Sequence, residues 1–139
     1  MSEGPKPRRH LTPFDVMMDR TQGPFPFVPR AEADGGVVWE YQVDRAHFNP
    51  YDTLHGGVVM ALLDHAMGHA VAGRLHADGR FNAAAQMSVN FLTAVESGVL
   101  RARAHIVKLG KRLAVVEARA ETADGKLVAT STATHAILP

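Results

Sequence analysis

The segment from Gly56 to about Gly73 constrains the fold more than any other part of the chain. It contains no proline, and its apolar residues are distributed around the whole helical wheel instead of along one stripe: Met60, Ala61, Leu62, Leu63, Ala66, Met67, Ala70 and Val71. A helix with this pattern is buried on most sides. At 1.5 Å per residue it extends about 27 Å. The sequence therefore predicts one central helix enclosed by the rest of a small domain.

The chain after this helix has the alternating pattern of β-strands. Four strands are predicted, at residues 86–93, 100–108, 113–122 and 127–138. Their connections are short, and one contains the hairpin signal Asp124-Gly125, so we expect antiparallel neighbours. With a fifth strand at residues 37–43, the prediction is an α+β fold in which a curved antiparallel sheet wraps one helix. This is the hot-dog fold. Such a sheet has open edges, which pairing with a second copy would cover.

The first 35 residues are predicted to form a separate N-terminal segment, followed by the domain at residues 36–139. We expect residues 1–10 to be mobile, Thr12-Pro13 to begin a short helix that ends near Arg20, and the proline-rich stretch at 21–30 to be extended. The N-terminus carries charges and no apolar run. It therefore resembles neither a secretory signal nor a membrane anchor, and a cytoplasmic protein is predicted.

Composition narrows the class of function. Lys and Arg number 15 against 14 Asp and Glu, so general attraction to nucleic acid or to an anionic membrane is not predicted. The chain has no cysteine, which excludes disulfides, thiolate metal sites and a cysteine nucleophile. His65 and His69 share a helix face, but only Asp64 or the distant His76 could be a third ligand. We therefore predict no metal site and place both histidines at a subunit boundary or solvent edge.

Asp64 is a carboxylate within the apolar helix, and Gly56 and Gly57 stand at the start of that helix. A buried carboxylate is costly unless it is bonded or functional, and burial is expected to raise its pKa. The alternative is a polar residue on one solvated stripe. Unpaired N–H groups at a helix start can bind an anionic oxygen, although two glycines can also simply form a tight turn. Asp64 lies about 10.5 Å along the axis from Gly57, so the two cannot serve one small group within one chain.

These residues resemble a known signature. Asn49, the His-Gly-Gly that begins at His55, and Asp64 match in type and spacing the phenylacetate-pathway (PaaI-like) branch of the hot-dog thioesterases. The stretch SVNFL and the later LGK and DGKLVA segments are also similar, and the resemblance covers roughly residues 36–138. It implies an enzyme that hydrolyses acyl-coenzyme A (acyl-CoA) thioesters without metal or other cofactor. It also implies a homodimer, or a tetramer built as a dimer of dimers, with each active site between two chains.

The resemblance also implies roles for single residues. The Gly57 amide, with Gly56 beside it, would polarise the thioester carbonyl, and Asp64 of the neighbouring chain would be the base or the nucleophile. Asn49 would donate to the carbonyl or position the water, or else simply cap its loop. His55 would support the glycine turn or lie near the thioester sulfur, and the supporting role is favoured.

One position departs from the family pattern. Members of this branch often have Ser or Thr, which helps to hold the water, where this chain has Ala84. Arg101 and Arg103 could bind CoA phosphates, or could belong to a solvated outer strand face. Residues 25–30 could cover the acyl site or connect the N-terminal helix to the sheet. Two other functions stay open: an acyl-thioester hydratase or dehydratase, and an acyl-CoA-binding protein with little or no activity.

Overall fold

The computed structural model describes residues 25–75, 77 and 79–139. Two predictions, mobility of residues 1–10 and a short helix at residues 12–20, concern residues outside these ranges. The described elements are β1 (Val28–Ala31), β2 (Val37–Gln42), a 3-10 turn (Arg45–His47), α1 (Gly56–Leu75), β3 (Phe81–Phe91), β4 (Val99–Leu109), β5 (Leu113–Thr122) and β6 (Leu127–Leu138).

The strands form one antiparallel sheet in the order β1-β2-β4-β5-β6-β3, and α1 packs on its inner face. Alternation along β5 directs four small residues towards the helix, and all are buried: Ala114, Val116, Ala118 and Ala120. Leu62, Leu63 and Met67 of α1 have no exposed surface. The predicted α+β hot-dog fold is confirmed. No helix in the described ranges has the combination of length and apolarity that crossing a bilayer requires.

The position of β3 differs from the prediction. Because residues 95–98 have the composition of a short turn, the sequence predicts that β3 and β4 are neighbours. Instead β3 pairs with β6, and β4 pairs with β2. The connecting segment crosses the sheet end: Leu92 N–H donates to the Val128 carbonyl, and the Val95 carbonyl accepts from Leu54 N–H. Val95 is buried, so the connection is a packed crossover and not a hairpin loop.

The sheet has six strands, one more than predicted. The additional strand β1 pairs with β2 and begins before the predicted boundary at residue 36. Two prolines lie in or near it, Pro26 and Pro29, which an edge strand tolerates because its outward N–H groups need no partner. Phe27 is buried and packs edge-on against Tyr41 and His65. Thus residues 27–31 extend the sheet and cover one side of α1.

A β-bulge divides β3 into two parts. Ala84 lies opposite His135, but the next pair in register is Gln86 with Thr134. One extra residue reverses which side chains face inward. Before the bulge the even-numbered positions face α1, and after it Met87 and Val89 pack on the core. The strand was predicted to begin at Gln86 because the alternation is continuous only beyond the bulge.

Replacing Leu62 by alanine should lower the free energy of unfolding by about 2–5 kcal/mol, because it leaves a cavity where α1 meets the sheet. Leu113→Ala is the matched control, since that leucine is 53% exposed, and its cost should stay below about 1 kcal/mol. Urea unfolding at fixed protein concentration measures both values. Equal losses in the two variants would contradict this description of the core.

Candidate active site

The loop before α1 is closed by His55. Its Nδ1 accepts a 2.8 Å hydrogen bond from the Gly57 N–H, and its carbonyl accepts from Val58 N–H at 2.9 Å. These bonds satisfy two of the N–H groups that a helix start leaves without intrahelical partners. The hydrogen bond between His55 and Gly57 is the contact expected if His55 supports the glycine turn. It also means that the Gly57 amide, predicted to polarise a carbonyl, already has an acceptor.

The Gly56 amide is different. No acceptor in the described part of the chain bonds its N–H. A side chain at this position would meet the Phe91 ring at 3.3 Å, so glycine permits the close approach of β3 to the helix start. The helix dipole places partial positive charge at this amide. Of the two glycines at the helix start, Gly56 is therefore the one whose N–H is available to a ligand.

The Asn49 side chain forms hydrogen bonds within its own loop. Its Oδ1 accepts from Tyr51 N–H at 2.9 Å, and its Nδ2 donates to Thr53 Oγ1 at 2.8 Å. This is the loop-capping arrangement that the sequence left open. An asparagine amide has two hydrogens, so one remains for another acceptor.

Beside the glycine turn lies a cavity of about 310 Å³. Asn49 and Gly56 form its polar side, and the rest of the wall is largely apolar, contributed by Leu54, Val59, Phe91, Leu92, Thr93, Ala94, Val95 and Val128. The wall therefore combines helix-start amides with the crossover segment after β3. This combination suits a ligand with a polar head and an apolar tail.

Asp64 does not have the buried environment that was predicted. It is exposed in the single chain, although Leu63 before it is buried and His65 after it is partly buried. Asn82 of β3 contacts this face of α1 one turn later, at the Gly68 carbonyl, but Asp64 itself stays exposed. The negative charge of Asp64 acts on the imidazoles of His65 and His135. Within the described part of the chain this carboxylate is therefore open to solvent.

Sequence reasoning missed a buried polar cluster beside Asp64. His135 on β6 is 1% exposed, and its Nδ1 lies 2.7 Å from Asn82 Oδ1 on β3. Asn82 Nδ2 in turn donates to the Gly68 carbonyl on α1 at 3.2 Å. Burial lowers the pKa of His135, while the Asp64 charge acts in the opposite sense. A histidine at an inward position of an apolar strand was the signal available in the sequence.

Ala84 lies directly across the ladder from His135. Residues paired across an antiparallel ladder have side chains on the same face, so the methyl group of Ala84 is on the side of the sheet that faces α1. The hydroxyl that the family pattern would supply is absent at this point. A polar group, the His135 imidazole, stands opposite it instead.

His65 and His69 lie against an aromatic surface. Of the two predicted positions, the solvent edge is wrong for His69, which is 6% exposed, and the subunit boundary stays a prediction. The ring centroids of His65 and His69 are 4.2 and 4.9 Å from that of Trp39. Burial lowers the pKa of each. Among the residues described, no three His, Cys, Asp or Glu are grouped to hold a metal.

Arg101 and Arg103 lie on the outer face of the sheet. Ala102 between them is fully buried against the helix side, so alternation directs both arginines away from α1. Arg103 bonds Glu32 at 2.7 Å, and Arg101 is 3.9 Å from Glu40. Within one chain they are thus on the face opposite the glycine turn, and contact with CoA phosphates stays a prediction.

Comparison with known proteins agrees with this geometry. The family model described as "Thioesterase superfamily" matches residues 51–129, which include the glycine turn, α1 and the whole of β3, β4 and β5. The chain belongs to the thioesterase superfamily.

The chain is also similar to three known proteins. A Bacillus halodurans protein crystallised with CoA has a TM-score of 0.78 at 26% identity, covering 91% of this chain and 89% of its own. A Ralstonia eutropha structure described as phenylacetic acid degradation-related, and provisionally as a thioesterase, has a TM-score of 0.74 at 30% identity, with 87% and 97% covered. A Caenorhabditis elegans protein provisionally named an esterase is 33% identical over 74% of this chain, but the match spans only 61% of that relative. The predicted resemblance to the phenylacetate-pathway branch is confirmed.

Stability should fall as the pH drops below about 6.5, the pKa of an ordinary histidine. His65, His69 and His135 all have lowered pKa values in the folded chain, so below that pH the unfolded chain binds more protons than the folded one. Each histidine can remove at most about 1.4 kcal/mol of unfolding free energy per pH unit in this window. Urea unfolding at about pH 7.5 and about pH 5.5 measures the loss.

The histidine assignment has a matched test. His69→Gln should reduce the difference between the two pH values, because one group that charges only on unfolding is removed. Leu113→Ala, which removes no histidine, should leave that difference unchanged. A pH dependence that is the same in wild type and His69→Gln would contradict the assignment.

Proposed function

We propose that the protein hydrolyses acyl-CoA thioesters to a free acid and CoA, with no metal or other cofactor. The observation that carries this proposal is the exposed carboxylate of Asp64 on a largely apolar helix, in a chain of the thioesterase superfamily. The CoA found with the Bacillus halodurans neighbour supports acyl-CoA as the ligand class. A cytoplasmic location stays a prediction.

In this proposal the helix start binds the thioester carbonyl. The Gly56 N–H has no acceptor within the described chain and donates to the carbonyl oxygen. The Gly57 N–H joins it when the substrate oxygen replaces His55 Nδ1. Two N–H donors at the positive end of α1 stabilise the negative charge that develops on this oxygen when the carbonyl carbon is attacked. The second Nδ2 hydrogen of Asn49 is available on the same side of the cavity.

Asp64 supplies the other half of the reaction by one of two routes. As a base it takes a proton from water while the water oxygen bonds to the carbonyl carbon, and the carbon–sulfur bond then breaks to release CoA thiolate. As a nucleophile its carboxylate oxygen attacks the carbon and displaces the thiolate, and water then hydrolyses the anhydride. A thiolate leaves readily because thiols are far more acidic than alcohols, so neither route needs a strong general acid.

We place Asp64 and the glycine turn of each site on different chains. Their separation of about 10.5 Å along α1 is too large for one carbonyl, and the edge strand β3 offers a means of pairing. Its sequence FNAAAQMSVNF has no proline and no charged residue, which are the usual protections of a free edge. Two of its aromatic side chains are about half exposed, Phe81 at 46% and Phe91 at 53%. Pairing β3 with its copy gives a homodimer with two equivalent sites.

A second candidate is an acyl-CoA-binding protein without turnover. The bond between Gly57 N–H and His55 Nδ1 favours it, since one of the two carbonyl donors is already satisfied. So does the missing hydroxyl at Ala84. A panel of acyl-CoA substrates with a thiol-detecting reagent distinguishes the two: release of thiol supports hydrolysis, and tight binding without release supports the binding protein.

Asp64→Asn should lower kcat by at least about a hundredfold, because the amide can neither take a proton nor attack the carbonyl. The exposed side chain predicts little loss of stability. Thiol release gives kcat, and size-exclusion chromatography gives the oligomeric state. Glu117→Gln, a carboxylate paired with His105 on another part of the sheet, is the control and should keep wild-type activity. Wild-type kcat in Asp64→Asn would exclude both routes.

Mixed dimers test whether the two halves come from different chains. Asp64→Asn and Gly57→Val should each be inactive, the second because its side chain would fall 2.9 Å from His55 Nδ1. Random mixing of the two should restore about a quarter of wild-type activity, since about half the dimers are mixed and each has one intact site of two. Mixtures no more active than their parents would contradict a site formed across the two-fold axis.

A further inference from the structure

Residues 48–54, the loop hairpin, connect the 3-10 turn to the start of α1, and the reaction proposed above uses only Asn49 of them. Phe48 and Leu54 pair at the base of this hairpin as an isolated β-bridge. Leu54 and Asn49 also line the cavity beside the glycine turn. The loop hairpin thus forms part of the cavity wall, and Tyr51, at its tip, lies two residues beyond Asn49.

The tip of the loop hairpin is held in one backbone conformation. Asp52 N–H donates to the Asn49 carbonyl at 3.1 Å, which closes a β-turn with Pro50 at its second position, where proline is favoured. Asn49 Oδ1 accepts from the Tyr51 N–H at 2.9 Å. Asp52 has a φ of 59°, in the left-handed region that aspartate tolerates better than most residues. A ligand that contacts Tyr51 therefore does not have to order the loop first.

The Tyr51 ring is open to solvent on this rigid support. Tyr51 is 87% exposed, more than any other large apolar residue that the structure describes, and no other ring of the described chain packs on it. An aromatic side chain with free faces is suited to stack on another flat ring. Acyl-CoA contains such a ring, the adenine. The acyl group suits the largely apolar cavity, whereas the charged nucleotide is costly to bury and favours the solvent-exposed surface outside it.

A positive charge lies at the base of the same hairpin. Arg45 Cζ is 5.3 Å from the centroid of the Phe48 ring, and this contact holds the guanidinium beside the hairpin. No carboxylate of the described chain forms an ion pair with Arg45. The neighbouring Asp44 carboxylate accepts from Ala46 N–H at 2.9 Å. The base and the tip of the hairpin are three residues apart, at most about 11 Å, a separation that a single nucleotide can bridge.

We propose that Tyr51 stacks on the adenine ring of CoA and that Arg45 binds a phosphate of the same nucleotide. This inference rests on the proposed function for its ligand, acyl-CoA. The Asp52 carboxylate, next to Tyr51 in the chain, repels phosphate, so the phosphates lie towards the base of the hairpin and the uncharged adenine lies at the tip. Neither residue contacts the thioester in this arrangement, and both contribute to affinity and not to the chemical step.

Binding of CoA, measured by isothermal titration calorimetry, tests both contacts. Tyr51→Ala should weaken CoA binding by about fivefold to a hundredfold, because base–aromatic stacking is lost, and Tyr51→Phe should stay within about twofold of wild type. Arg45→Gln should weaken CoA binding at least about threefold at low salt, with a smaller effect as salt is added. For pantetheine, which lacks the nucleotide, the variants should not differ from wild type.

A charge control and two further measurements complete the test. Arg119→Gln removes the same charge from the outer face of the sheet, where Arg119 is 3.6 Å from Glu121, and should keep CoA affinity within about twofold. Thermal unfolding and size-exclusion chromatography establish that each variant folds and keeps its oligomeric state. Wild-type CoA affinity in Tyr51→Ala, an equal loss for pantetheine, or a change of oligomeric state that assigns Tyr51 to a subunit interface would overturn the inference.

The binding measurement separates failure of this inference from failure of the proposed function. If wild type binds CoA but releases no thiol from any acyl-CoA, hydrolysis fails as the function, and the CoA affinities of the variants still decide the inference. If wild type does not bind CoA, the inference fails with it. In an active enzyme, Tyr51→Ala should raise KM for acyl-CoA with kcat within about twofold of wild type. A fall in kcat at unchanged KM would contradict a role in nucleotide binding.

Discussion

The structure depends on close contact between α1 and a sheet face made of small side chains. Alanines along β4, β5 and β6 bring the backbone of the sheet near the helix, and large apolar residues of α1 fill the space together with Trp39 and Tyr41 of β2. Burial of this area is the main favourable contribution to folding. It also fixes the helix in rotation, because only one orientation places Leu62, Leu63 and Met67 against the sheet. The direction of every functional side chain on α1 follows from that orientation.

The same constraint explains why one face of α1 is polar. The side opposite the core carries Asp64, and the next turn carries Gly68, whose carbonyl accepts a bond from β3. The helix therefore has two chemically distinct regions: an N-terminus with amides available to an oxygen, and a mid-helix carboxylate beside a buried imidazole. Asp64 does not disturb the core, because it is exposed.

Much of this arrangement could be predicted from local patterns. The helix start at Gly56 and the bounds of β5 and β6 agree with the prediction. The hydrophobic period and the turn residues that predict them are local features of the sequence. The crossover at residues 92–98 could not be predicted, since a packed connection and a hairpin have similar composition. For Asp64 the sequence left burial and a solvated stripe as alternatives, because an apolar helix by itself suggests burial on all sides, and the structure has the exposed one. Asn82 and His135 were missed because they are 53 residues apart and only the pairing of β3 with β6 joins them.

The bulge in β3 has a consequence for how this chain can change. The single additional residue divides β3 into two stretches. The first, around Asn82 and Ala84, can carry polar side chains, and the second packs on the core through Met87 and Val89. Substitutions in the first stretch alter chemistry beside α1 without disturbing the second. Loss of one residue at the bulge would instead restore a uniform alternation, and one stretch or the other would then present its inward side chains to solvent. Point substitutions at this end of β3 are thus tolerated by the fold, whereas insertions and deletions in the strand are not.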